Sequence, residues 1–158
     1  MQYWITVSDG EGSDGGIAVA LINARQPHLP AKLVATTVPS SIRAEWQRRK
    51  QQDIADIEMI APLAAMNQWP ELAAGLGLHF TDSQTAKCGL VKGNSQAVTA
   101  APILHATWRR IWERQLLLYT DYVNTHDNPT DDASRGNITM HGMDFVREEP
   151  VADIFSMS

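Results

Sequence analysis

Cysteine is almost missing. Cys88 is the only one among 158 residues, which excludes an internal disulfide and a zinc site built on thiolates. A reducing, intracellular compartment is the default expectation. No apolar run reaches the roughly 18 residues that suggest a membrane span, so no membrane partner is expected. The opening MQYWITVSDG carries neither a basic head nor a cleavable apolar stretch, so no export signal is read there. Repeats and low-complexity tracts are absent too. Base is scarce: 18 acids face 13 lysines and arginines, a net of −5. A nucleic-acid binder is normally basic. The deficit is uneven, however. Residues 137–158 hold four acids and one base, leaving 14 acids and 12 bases in residues 1–136.

What is present suffices for one domain. Apolar residues make up 44% of the chain, and a chain of this length can bury a full core without covalent staples. Residues 2–8 (QYWITVS) alternate Tyr3, Ile5 and Val7 and read as a strand. The stretch from Asp9 to Gly16 is a turn by composition. Residues 17–22 (IAVALI) read as a strand buried on both faces, and residues 32–38 as a third, giving an antiparallel meander. Ile54, Ile57, Ile60, Ala61, Ala64 and Ala65 then recur at helical spacing, predicting an amphipathic helix over residues 53–69. Pro62 inside it is expected to kink it. Leu76, Leu78 and Phe80 alternate in a fourth strand. Ser83 caps a helix that ends at Gly93. A further helical region runs from Ser95 to about Glu113, and residues 115–123 form a fifth strand. Residues 131–135 open a short terminal helix. The order is that of a mixed α/β fold with one five-stranded sheet flanked by helices.

Carboxylates sit at the ends of these elements. Asp9 follows the first strand, Asp82 the fourth, Asp131 the fifth and its loop, and Glu58 lies on the first long helix. Functional groups in open α/β sheets collect at strand ends. One Asp there is as readily a turn or helix cap. Four together would repel one another unless cations neutralise them. Hard oxygen ligands suit magnesium. Two such ions ~4 Å apart activate a water and stabilise the leaving oxygen of a phosphodiester.

The residues around these acids resemble a family. Thr81-Asp82-Ser83-Gln84 resembles the third acidic motif of ribonuclease H, and Ile57-Glu58-Met59-Ile60-Ala61 its helix motif. Val7-Ser8-Asp9 is similar to the first-strand motif. Residues 128–135 (NPTDDASR) resemble the ending of retroelement ribonuclease H domains. The resemblance spans about residues 2–136; it implies a ribonuclease H-like catalytic domain over residues 1–136 and leaves 137–158 as a tail of unassigned structure. It implies Asp9, Glu58, Asp82 and Asp131 as ligands of two Mg2+ ions, with Mn2+ as a substitute. It further implies endonucleolytic cleavage of the RNA strand of an RNA–DNA hybrid, leaving 5′-phosphates. Two divalent ions would turn residues 1–136 slightly positive. The motif register favours Asp131 over Asp132. His126 lies in the loop where many family members carry a mobile His for leaving-group protonation or product release; a surface His without a role is the alternative. Retroelement domains usually sit in a polymerase polyprotein, so linkage to a reverse transcriptase and a free-standing enzyme both stay open. The chain departs from the family in Pro62, in the acids Glu11 and Asp14 that crowd the first turn, and in lacking the extra basic helix of bacterial-type enzymes.

Two other readings use the same residues. Asp9-Gly10-Glu11 with His126-x4-Asp131 resembles a 3′–5′ exonuclease of the same broad fold, in which Glu11 replaces Glu58. A catalytically silent nucleic-acid-binding or structural module is the third. For substrate contact, Arg48, Arg49 and Lys50 follow Arg43 and Trp46 in a basic run suited to phosphate neutralisation, with a solvated turn and a buried Trp46 as the plain alternative. Gln84 and Asn128 are candidates for sugar hydroxyls. Trp108 and Trp112, four apart, are expected to anchor the core, with Arg109, Arg110 and Arg114 solvated. Cys88 is expected to be a small buried residue.

Overall fold

The computed structural model describes residues 1–49, 53–93, 98–124, 127–130 and 144–158. Lys50, His126 and Asp131, together with the expected helix over 131–135, lie outside the described residues. One mixed sheet organises the chain, with strands β1 (Gln2–Gly10), β2 (Gly16–Asn23), β3 (Ala31–Thr37), β4 (Gly75–Thr81), β5 (Leu116–Tyr122) and β6 (Phe145–Arg147). Their spatial order is β5-β4-β1-β2-β3-β6. The expected meander β1–β2–β3 is antiparallel. β4 joins β1 in parallel and β5 joins β4 in parallel. The helices are α1 (Ser40–Arg49), α2 (Ile54–Gln68), α3 (Gln84–Lys92) and α4 (Ala100–Glu113).

Among the described residues the sheet has six strands where the sequence predicts five. β6 is three residues long and pairs in parallel with β3 through Ala31↔Phe145 and Leu33↔Arg147. Three residues carry no readable period, which is why the strand escapes the sequence. The tail then crosses to the C-terminal end of α2. There the Gln68 side chain donates to Glu149 O and accepts from Val151 N, and Trp69 Nε1 donates to Glu148 Oε1. Asn67 Nδ2 donates to the carbonyls of Ile154 and Ser156. Ile154 and Phe155 are buried in the main core.

α2 is the central helix, and it is not amphipathic. Twelve of its residues, from Asp56 to Gln68, are buried. It lies against β1 and β2 on one side and against α3 and α4 on the others. A helix apolar all round is a buried helix. Pro62 lies inside α2, which runs continuously through it. Proline removes one hydrogen bond to the Glu58 carbonyl, and packing on every side holds the rest.

Three further expectations are corrected. In β4 the alternation is inverted. Leu76 and Leu78 lie exposed, while His79 and Thr81 are fully buried. In α4 the buried face is Ile103, Leu104, Ala106, Thr107 and Ile111. Trp112 is 85% exposed and Trp108 38%, whereas Arg109 and Arg110 hold the carbonyls of Met157 and Ser158, and Arg114 that of Trp69. The four-residue spacing identified a shared face correctly, but it is the outer one. Cys88 is exposed.

Candidate metal centre

The site is built where β1 and β4, running side by side in the same direction, both end against α2. Gly10 makes that approach close. A Cβ there would stand 2.7 Å from Ile57 Cγ2 and 3.3 Å from Glu58 Oε1. With no side chain in the way, the Gly10 amide donates to two carboxylates at once, Asp9 Oδ1 at 2.9 Å and Glu58 Oε1 at 3.0 Å. From β4, Thr81 Oγ1 donates to Glu58 Oε2 at 3.4 Å and accepts from Ser83 N. Ser83 then caps α3 by accepting from Ala86 N, and Gly93, at φ 72°, closes the helix. Asp82 is thereby held between the strand end and the cap.

Asp9, Glu58 and Asp82 each offer a carboxylate oxygen, and these oxygens lie within 4.8 Å of one another. Asp9 and Glu58 are buried and Asp82 is half-buried. Burial, reinforced by the charge of Asp82, pushes the Glu58 carboxyl up to about 8, against hydrogen bonds from Gly10 and with Asp9 and Thr81. A cluster of this kind is destabilising in a metal-free protein unless it holds a proton or a cation. Oxygen donors alone, close together and with no soft ligand among them, fit a hard divalent ion.

Behind the carboxylates lies a buried neutral network. His79 is fully buried and hydrogen-bonds Thr6 Oγ1 through Nδ1 at 2.8 Å and Ser8 Oγ through Nε2 at 3.2 Å. Burial drives its pKa down to about 3, so the ring stays neutral. His79 stands in no ligand-type motif of the sequence. Its signal was a polar residue at an inward position of a strand between two strand hydroxyls.

The other sequence candidates scatter. Gln84 is exposed at the start of α3, beside Asp82. Arg48 and Arg49 are exposed at the end of α1 and share the carboxylate of Glu45, Arg48 Nη2 at 2.8 Å and Arg49 Nε at 3.3 Å. Arg48 and Arg49 therefore end a helix with part of their charge neutralised. Its Trp46 is buried in the core. Arg43 is also buried. It donates twice to Asp53, at 2.9 and 3.0 Å, and once to Gly12 O at 2.7 Å. Glu11 accepts from Ser13 N and Ser13 Oγ and is not one of the group of three. Asn128 is not a surface contact. It is fully buried; its Nδ2 donates to Ser8 O at 2.8 Å, and its Oδ1 accepts from Thr130 N at 2.9 Å and Thr130 Oγ1 at 2.6 Å. Both ends of its amide are spent inside the protein.

Neither a family model nor a curated protein matches the chain. Solved structures do. The chain is similar to ribonuclease H1 from the halophilic archaeon Halobacterium salinarum, with a TM-score of 0.59 and 9% identity, covering 85% of this chain and 92% of that one. It is similar to the N-terminal ribonuclease H domain of a Mycobacterium tuberculosis protein, at TM-score 0.57 and 12% identity over 84% and 89%. A compost metagenome ribonuclease H1 in complex with an RNA/DNA hybrid aligns at TM-score 0.58 and 13% identity over 85% and 96%. At these identities the likeness establishes the fold, which is that of ribonuclease H.

Proposed function

We propose that this chain is a divalent-metal-dependent endonuclease that hydrolyses the RNA strand of RNA–DNA hybrids. The observation that carries the proposal is the convergence of Asp9, Glu58 and Asp82 at the shared end of β1, β4 and α2, on a ribonuclease H fold. Among the similar structures, the compost metagenome ribonuclease H1 is one in complex with an RNA/DNA hybrid.

Asp9, Glu58 and Asp82 would hold magnesium, with Asp131 as the fourth ligand that the motif NPTDDASR implies. When bound, a pair of such ions supplies an activated water and charge stabilisation at the leaving oxygen. The chain's own groups do the rest. The Gly10 amide fixes Asp9 and Glu58 relative to each other. Thr81 orients the second oxygen of Glu58. The neutral His79 supports β1 beneath Asp9 without adding charge. Gln84 stands on the exposed side of the site, where a strand could meet it.

The silent-module reading is disfavoured by energetics. A Glu kept buried at a pKa of about 8 is destabilising and gives no structural return unless a cation is received there. The exonuclease reading is disfavoured by Glu11, which is turned to Ser13. The test is a labelled hybrid incubated with the protein and magnesium or manganese, beside single-stranded and duplex controls. The expected result is internal cuts in the RNA strand of the hybrid alone. Stepwise shortening from 3′ ends would favour the exonuclease, and no cleavage with either metal would remove the assignment.

A further inference from the structure

β5 ends the sheet on one side: among the described residues no strand lies beyond it. Val123 N donates to Thr81 O. By strand alternation the odd-numbered residues of β5 therefore turn N–H and C=O toward β4, and Leu116, Leu118, Thr120 and Tyr122 turn theirs outward. Tyr122 N is already taken by Asp121 Oδ1 at 2.8 Å. The free stretch is residues 116–120, centred on Leu118. Sheet edges are commonly protected by lysine or proline, and LLLYTDY contains neither. The apolar outer face of the sheet reaches this edge. Strand register aligns Tyr3 with Leu76 and Leu117 in one row, and Ile5 with Leu78 and Tyr119 in the next. Leu117 is 70% exposed and Tyr119 53%, and an apolar groove of about 380 Å³ lies along the two rows.

We propose that β5 is a self-association edge: two copies of this chain pair antiparallel through residues 116–120, about a two-fold axis at Leu118. The side chains select the register. Centred on Leu118, the pairing sets Leu117 against the partner's Tyr119 on the outer face, an aliphatic–aromatic pair formed twice by symmetry. On the inner face it sets Leu116 against the partner's Thr120. The outward N–H and C=O groups then meet their counterparts, and both apolar rows run on across the axis. Asp121, the one charge of the strand, falls opposite the partner's Gln115, an exposed amide able to donate to it. A register centred on Tyr119 would set Asp121 against Leu117 and call on the Tyr122 amide that Asp121 already holds. The occupant is a second copy because residues 116–120 complement themselves at every position. Leu117, Tyr119 and the main chain between them offer roughly 400–500 Å² per copy, about 900 Å² for a pair, which is the range of weak, concentration-dependent interfaces. The strands run in opposite directions across the axis. The two Asp9–Glu58–Asp82 clusters therefore face opposite ends of the joined sheet, and association covers neither.

Sedimentation of the full chain from about 1 to 300 µM, the span in which an interface of this size associates, tests the pairing. Amide hydrogen exchange is measured at both ends of that span. Monomer should convert to dimer and to nothing larger, and the Leu118 and Thr120 amides should exchange several-fold more slowly at the high concentration. Leu117→Lys, at a position already exposed, should weaken the dimer at least about tenfold, because the two-fold axis applies the substitution twice. Leu78→Lys lies on the same face but one strand in from the edge, and should leave the dimer intact. Loss of the dimer in Leu78→Lys, with the edge amides unprotected, would mean that two faces stack and would overturn the edge pairing. A monomer at every concentration, growth beyond the dimer, or a dimer indifferent to Leu117→Lys would overturn it as well. Should Leu117→Lys fail to fold, exchange in the wild type decides alone: equal rates at both concentrations overturn the proposal.

Discussion

Two buried charge clusters lie one helical turn apart and behave in opposite ways. At the start of α2, Asp53 is met by the Arg43 guanidinium in a two-bond pair, with Gln47 adding a third contact at 3.5 Å. Burial alone would raise the Asp53 carboxyl, but the hydrogen bonds and charge of Arg43 overcome it and hold the pKa low. Arg43 is raised in return, chiefly by its hydrogen bonds to Asp53. Five residues on, Glu58 has no such partner among the described residues; the Gly10 amide and Thr81 hydroxyl donate to it instead. Burial and Asp82 raise its carboxyl to about 8. The first cluster is complete within the protein and ties α1 and the Gly12 turn to α2. The second is completed only by a proton or a cation from outside. Burial of charge does not by itself mark a functional site; burial without internal compensation does.

The largest expected effect breaks the uncompensated cluster. Asp9→Asn, Asp82→Asn and Glu58→Gln should each reduce hybrid cleavage by roughly three orders of magnitude or more, while Glu11→Gln retains most activity. Thermal melts of the metal-free variants should show unchanged or higher stability, since each removes repulsion. Near-normal cleavage by Asp9→Asn would sink the assignment, and loss in Glu11→Gln with retention in Glu58→Gln would reinstate the exonuclease. The compensated cluster should respond in the opposite manner. Arg43→Ala leaves Asp53 buried and unpaired, which costs about 3–5 kcal/mol in urea denaturation. Turnover of the folded fraction should remain. A stability change within error would show that the pair is dispensable.

The two clusters also tilt the pH profile in opposite directions. The Glu58 carboxyl ionises near 4.5 when unfolded and near 8 when folded, so ionisation favours the unfolded chain between those values. Its contribution is full below pH 4.5 and is lost as pH rises toward 8. Asp53 is depressed below its ordinary 3.8, so its contribution is present above that pH and is lost as pH falls beneath it. Metal-free melts should therefore fall from pH 5 to pH 8 in the wild type, and Glu58→Gln should flatten that limb alone. Saturating manganese should flatten it too. An identical alkaline limb in Glu58→Gln would place the titrating group elsewhere.

The smallest effect concerns exposed charge. Arg48 and Arg49 share Glu45, so their pull on phosphate is partly spent. Replacing Arg48, Arg49 and Lys50 with Ala should flatten the salt dependence of hybrid binding by at most about two units of slope, at ~0.9 per phosphate contact. Glu45→Gln should steepen it by releasing both arginines. Binding would be followed against salt with calcium in place of magnesium. An unchanged slope in both would remove α1 from the binding face.

Legibility in the sequence followed the length of each signal. The strands β1 to β5, α2 and α3 have long periodic or capped patterns and stand within a residue or two of expectation. α1 was passed over because its buried face consists of Arg43 and Trp46, and a buried arginine has no apolar signature. β6 was too short to read. Asp9 and Asp82 were readable because each sits in a motif at a strand end, and Glu58 because it sits in a motif on a long helix. His79 and Asn128 were not read for their roles, since a polar side chain facing inward is indistinguishable by composition from one facing out.

The sequence by itself determined the order of elements, the strand ends at which carboxylates stand and the resemblance that joins them. These are local properties, set by period, capping and turn chemistry. Only the tertiary structure decided which way they face. It turned Leu76 and Leu78 outward and His79 inward, turned Trp112 outward, and seated Asn128 on Ser8. The orientation of a strand or helix depends on partners distant in the chain. Here the hydroxyls of Thr6 and Ser8, on a strand some seventy residues earlier, satisfy a buried imidazole. A glycine amide, 48 residues from Glu58, draws two carboxylates to one point.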